Sequence, residues 1–234
     1  MHPYAAGRPL HSEHTNGIGS QSMTTDIAVL LDRSDTFHNA LRITLQGETG
    51  RVIPSGARNN AAFSYGCIAL EHGSAFQHLL SVDNPTSALA LVRLQYEAVL
   101  RGAWVFYAAP DQWIDSFGSQ PGSNSREEPV GFPYVYKMLG ELAASPAEPV
   151  LAQSLSSLKE RAWDALNSYT HGGLRLMVRS LDGFEPELLA WMLRTTNSLC
   201  YIAAQLIAHV ANDPARSNQL LTTRNAMSDC MHEG

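Results

Sequence analysis

Lysine is nearly absent from this chain. Of its sixteen basic residues only Lys137 and Lys159 are lysines, so the positive charge is almost wholly guanidinium, the group whose planar fork suits bidentate contacts to phosphate or carboxylate. A basic excess is missing as well: against 22 acidic residues the formal net charge is −6. That balance excludes an extended electrostatic footprint for nucleic acid and leaves room only for a small anion pocket. Cysteine is scarce and odd in number. Cys67, Cys200 and Cys230 have no CxxC spacing, which excludes a disulfide framework and a thiolate zinc site and fits a reducing cytoplasm. No run is apolar enough for a plain membrane span, because the most hydrophobic stretches carry Arg93, Glu97 and Arg101, or Gln205 and His209, and the N-terminus lacks the basic-then-apolar order of a secretory signal. A cytoplasmic protein with no membrane partner is expected. Also absent are a P-loop, a Gly-rich dinucleotide fingerprint, a Gly-x-Ser-x-Gly elbow, an HExxH pair and the Glu-x-x-His pairs of a di-iron bundle. Neither metal nor cofactor is expected.

What is present is a globular composition. Apolar residues make up 44% of the 234 positions and charged residues 16%, enough to bury one core. Residues 1–22, rich in Gly, Ser, His and Pro and without apolar periodicity, are expected to be a disordered leader, and 23–234 a single domain. Helical spacing runs from the Thr-Thr-Asp cap at Thr25 to near Gly47, and again from Pro54-Ser55 to about Leu80, where Gly66 and Gly73 mark close packing or a soft spot. Residues 86–109 are apolar nearly all round apart from one charged stripe, which reads as the central buried helix. A short helix after Pro110 leads into residues 118–130, a polar Gly/Ser/Pro stretch expected to be a flexible loop. Helices resume at about 133–144, 150–170, 174–181 and 186–212, and Pro214 opens a last one. Strand alternation is missing except for a short extended piece at Arg51-Val52-Ile53. The expectation is an all-α single-domain bundle of about seven helices.

Two constellations could carry chemistry. In Arg93-Leu-Gln-Tyr-Glu97-Ala-Val-Leu-Arg101 the i, i+4, i+8 spacing puts three charges on one face of an otherwise apolar helix. Glu97 could orient one or both guanidinium groups toward a phosphate, or the three could form an internal salt-bridge ladder that sets helix register. In the run from Lys159 to Gly173, Asp164, Asn167 or Ser168, and His171 lie at spacings that share a helix face. There His171 is either a general acid or base whose ring Asn167 and Asp164 hold, or a last-turn histidine that complements the helix dipole before a glycine cap. The aromatic group Trp104, Phe106, Tyr107, Trp113 and Phe117 reads as core.

The order Ala69-Leu-Glu71-His72, then Arg93 to Trp104, then Leu166-Asn167-Ser168-Tyr169-Thr170-His171-Gly172-Gly173 resembles the bacterial DUF6988 and DUF5677-like proteins of unknown function, which are similar to HEPN-type helical domains. That resemblance covers roughly residues 55–195. It implies a metal-independent ribonuclease or nucleotide-binding protein of phage-defence systems, commonly dimeric, with RNA or a nucleotide as ligand. His171, Arg101 and Asn167 are then the expected catalytic residues, and Arg93, Glu97, Asp164 and Tyr169 the ligand-binding ones. The chain departs from the Arg-x4–6-His motif of HEPN toxins, since Arg161 stands ten residues before His171. The alternative is a non-catalytic helical module, a scaffold or antitoxin-like partner that forms a homodimer, in which the same residues are a satisfied buried network.

Overall fold

The structure, a computed structural model, describes residues 19–47, 54–118, 131–145 and 149–232. Among them there is no strand, and nine α-helices and one 3-10 turn follow in order: α1 (Gly19–Gln46), α2 (Ala57–Ser81), α3 (Pro85–Tyr107), α4 (Asp111–Gly118), α5 (Val135–Ala144), α6 (Pro149–Thr170), α7 (Leu174–Asp182), α8 (Pro186–Val210), α9 (Pro214–Ala226) and the turn Ser228–Cys230. The all-α expectation holds. Nine helices stand where about seven were expected, the short α4 and α7 being elements in their own right. The first helix begins at Gly19, six residues ahead of the Thr25 cap, because neither Gly nor Pro interrupts the chain between Gly19 and Gln46. Residues 19–22 of the expected leader are therefore helical. Residues 1–18, the extended piece at 51–53 and residues 119–130 of the expected loop lie outside the described residues.

Proline sets the starts of α3, α8 and α9 at their first turns, where its missing N–H removes no helical hydrogen bond. Asp213 also caps α9, accepting from the Arg216 backbone N–H at 2.9 Å. As its composition predicts, α3 is the buried axis: Val92, Tyr96, Val99, Leu100 and Ala103 are completely covered. It packs on α2, α8, α6 and α5. The contact with α2 and α8 depends on glycine. A Cβ at Gly73 would sit 2.3 Å from Cys200 Sγ, one at Gly66 2.8 Å from Ile207 Cγ1, and one at Gly102 2.8 Å from Leu206 Cδ2. Close packing, not a soft spot, is thus what Gly66 and Gly73 provide.

Trp104, Trp113 and Phe132 cluster with centroids 4.9 to 5.9 Å apart where α3, α4 and the approach to α5 meet, and Phe106 and Tyr107 pack partly buried against the same core; the side chain of Phe117 lies outside the described ones. Cys200 and Cys230 are buried free thiols. Burial pushes the Cys200 thiol up to about 12 and the Cys230 thiol up to about 11, so both are packing groups and not thiolates.

Candidate functional site

The charged stripe of α3 assembles as its spacing predicts. Arg93 Nε donates to Glu97 Oε1 at 2.8 Å, and Arg101 Nη2 donates to Glu97 Oε2 at 2.7 Å. One carboxylate therefore serves two guanidinium groups. The side chains of Arg93, Glu97 and Arg101 are 19%, 12% and 36% exposed, so the stripe is a half-buried patch and not a sealed core network. Each guanidinium also lies over an aromatic ring, Arg93 4.9 Å from the Trp163 centroid and Arg101 5.4 Å from that of Phe132. Those rings fix the planes of the two forks and leave one positive charge in excess within the trio.

His171 follows the last residue of α6. Its backbone N–H bonds Asn167 O at 3.0 Å, Gly172 takes φ +66°, and the Gly173 N–H bonds Ser168 O at 2.7 Å. This is a glycine-closed helix end of the Schellman type. The backbone thus does what the structural reading of His171 expected. The ring does something more: its Nε2 meets Arg93 Nη1, across 78 residues of sequence. A guanidinium only donates, so Nε2 accepts, and the proton of the exposed neutral ring is on Nδ1. Thr170 Oγ1 donates to Ala90 O at 3.2 Å and fixes this end of α6 against α3.

The seven expected site residues are distributed unevenly. Arg93, Glu97 and His171 are joined directly. Arg101 joins them through Glu97 and is eight residues, roughly 12 Å of helix rise, beyond Arg93. Asn167 is half-buried, with an Oδ1 that is buried and has no hydrogen-bond partner among the described residues; it does not hold the His171 ring. Asp164 is exposed, and Tyr169 is buried in the core at 4% exposure. Arg101 Nε is likewise buried without a partner among the described residues.

Trp163 and Phe132 were missed as site residues. Trp163 lies within the second constellation but was not singled out, whereas Phe132, in an irregular segment, has no periodicity to reveal it. No group of three or more His, Cys, Asp or Glu among the described residues could hold a metal ion. No described helix is long and apolar enough to cross a membrane.

What the arrangement can do is bind an anion. Two oriented forks, one shared counter-ion and a neutral imidazole offering Nδ1–H present donors in excess of acceptors. No curated protein and no solved structure matches the chain. The model of a family of unknown function, DUF6988, matches residues 66–233, which hold Arg93, Glu97, Arg101, Trp163 and His171 alike, and the chain belongs to that family.

Proposed function

We propose that the α3–α6 patch binds a phosphate group of a nucleotide or of RNA, in the cytoplasm and without a metal. The observation that carries this reading is Glu97: a single carboxylate cannot neutralise two guanidinium groups, and both forks are already aligned by it and by the rings beneath them. In its catalytic form, implied by the likeness to HEPN-type domains of phage defence, Arg93 and Arg101 stabilise the phosphate while His171 moves a proton. His171 must then release Arg93, whose guanidinium occupies the Nε2 lone pair. A phosphate drawing Arg93 away would free that lone pair, so ligand binding and activation of the base are one event.

The test is cleavage of total RNA by the purified protein with excess chelator, comparing wild type with His171→Ala and Arg101→Ala, together with growth arrest on induced expression. Chelator-resistant cleavage and arrest, both abolished in the two variants, are the expected result. Intact RNA, combined with nucleotide affinity unchanged by Arg93→Gln, overturns both the catalytic and the binding form.

A second reading, a non-catalytic interaction module that forms a homodimer, is favoured by α7. Leu174, Met177, Val178 and Leu181, spaced i, i+3, i+4, i+7, are 71%, 50%, 40% and 79% exposed, an apolar stripe that the other described residues leave uncovered.

A further inference from the structure

On the opposite side of α6 from Trp163 the fold encloses a second feature. α6 packs on α3 and α5, and α9 packs on α8 and α1. Between α6 and α9, over the outer face of α8, a trough of about 910 Å³ remains. It runs along α8 from Thr195 to His209, about 21 Å of helix. Its rim includes Val150 and Leu221, which are 71% and 43% exposed, and its size suits an organic ligand.

Its charge is one-sided. Its lining includes the guanidinium groups of Arg161 and Arg224, and among the described residues no aspartate or glutamate lines it. That exclusion is pronounced in a chain with 22 acidic and sixteen basic residues. A cavity of about 800 Å³ between α1 and α2 shows the contrast, with Asp32, Asp35 and Glu71 in its walls. Among the described residues neither Arg161 nor Arg224 pairs with a carboxylate. The exposed Arg161 bonds only Ser157 O of its own helix, at 3.2 Å, and Arg224 lies 5.5 Å over the Tyr201 ring from the facing wall.

His232 belongs to the same end of the trough as Arg161. The Thr195 hydroxyl already donates to Trp191 O at 2.9 Å, so at 2.8 Å it accepts from His232 Nε2–H. Burial, with the charges of Arg161 and Arg194, holds the His232 pKa below the ordinary histidine value. Arg161 thus carries its charge at that end with no carboxylate partner among the described residues, beside a histidine that burial keeps from protonating.

We propose that this trough binds a small organic anion, a phosphate or carboxylate on an apolar body. Arg161 holds the charged group, Arg224 contributes from the α9 wall, and Leu158, Ile202 and Leu221 cover the body. The site is separate from the α3–α6 patch and stands whether or not that patch binds phosphate.

The test titrates the full chain with an anionic naphthalene-sulfonate dye and with its neutral phenyl-naphthylamine counterpart. In the Arg161→Gln/Arg224→Gln variant the anionic dye should bind at least about tenfold more weakly, with the neutral dye unchanged, helicity intact and Arg161→Lys retaining most of the affinity. Displacement of the dye by a nucleoside monophosphate or by decanoate then tells which head group the site prefers. The proposal is overturned if the double variant binds the anionic dye as wild type does, if both dyes weaken equally, or if neither competitor displaces the dye. It is also overturned if Arg93→Gln/Arg101→Gln abolishes binding instead, a result that would place the anion at the α3–α6 patch.

Discussion

His38 is a histidine that the fold keeps neutral. Its Nε2 lies 3.0 Å from Asn197 Oδ1, while Asn197 Nδ2 donates to Ser34 Oγ at 2.7 Å and to Cys230 O at 2.8 Å. Asn197 therefore offers His38 its acceptor, Nε2 carries the proton, and protonation of the remaining nitrogen would place a charge in a half-buried position. Burial holds the pKa below the ordinary value despite Asn197 and Asp35. Below the ordinary histidine pKa of about 6.5 the unfolded chain binds a proton that the folded chain resists, so stability falls with pH through that window until the folded pKa is reached. His72 and His232, shifted the same way by burial, add to the slope. The expected outcome is a decline in unfolding free energy between about pH 7 and pH 5, measured by urea denaturation, and a shallower decline in His38→Gln. An equal slope in the two proteins would show that His38 does not contribute.

At the scale of elements, the α2–α3–α8 contact rests on small residues. Gly73→Ala puts a methyl group 2.3 Å from Cys200 Sγ and 2.7 Å from Gln95 Nε2, and Gln95 is itself fixed by bonds to Thr196 O and Cys200 Sγ. The helices must separate, at a cost of about 1–3 kcal/mol beyond the gain in helix propensity. Gly140→Ala in α5 meets nothing within 4 Å and should stabilise by about 0.5–1 kcal/mol. Thermal unfolding of the pair should move in opposite directions, and a loss of stability in both would refute the packing account. The elements themselves were legible in the chain, because periodicity and Pro or Gly boundaries are local properties: Pro85, Pro186 and Pro214 stand within a residue or two of their expected starts. The earlier start of α1 was less legible, since its first turns are mostly Ser and Thr, which are weak helix formers. The α3 stripe was readable for the same local reason, whereas Asn167 and Asp164 share only a nominal face with His171, and Tyr169 lies off that face. Their fates differ because neighbouring helices bury Tyr169 and leave Asp164 in water.

At the scale of the whole molecule, α7 is the element whose burial is unfinished. Two copies packed antiparallel about a two-fold axis would cover Leu174, Met177, Val178 and Leu181 of each and set Arg175 of one near Asp182 of the other, pairing opposite charges. Sedimentation should show a dimer that Met177→Asp/Leu181→Asp converts to monomer, with monomer stability changed by no more than about 0.5 kcal/mol because both positions are already exposed. A wild type that sediments as a monomer at all concentrations would exclude this contact. The sequence by itself determined the all-α class, nearly every helix boundary and the Arg93–Glu97–Arg101 stripe, since each depends on spacing within about one helix or on residue type alone. Only the tertiary structure decided that His171 meets Arg93, that Trp163 and Phe132 lie beneath the two guanidinium groups, that among the described residues nothing covers the apolar face of α7, and that α6, α8 and α9 border a trough with no described carboxylate in its lining. Those features are set by which helices become neighbours, and that choice is made by the packing of the whole core around α3, not by any stretch of chain that contains them.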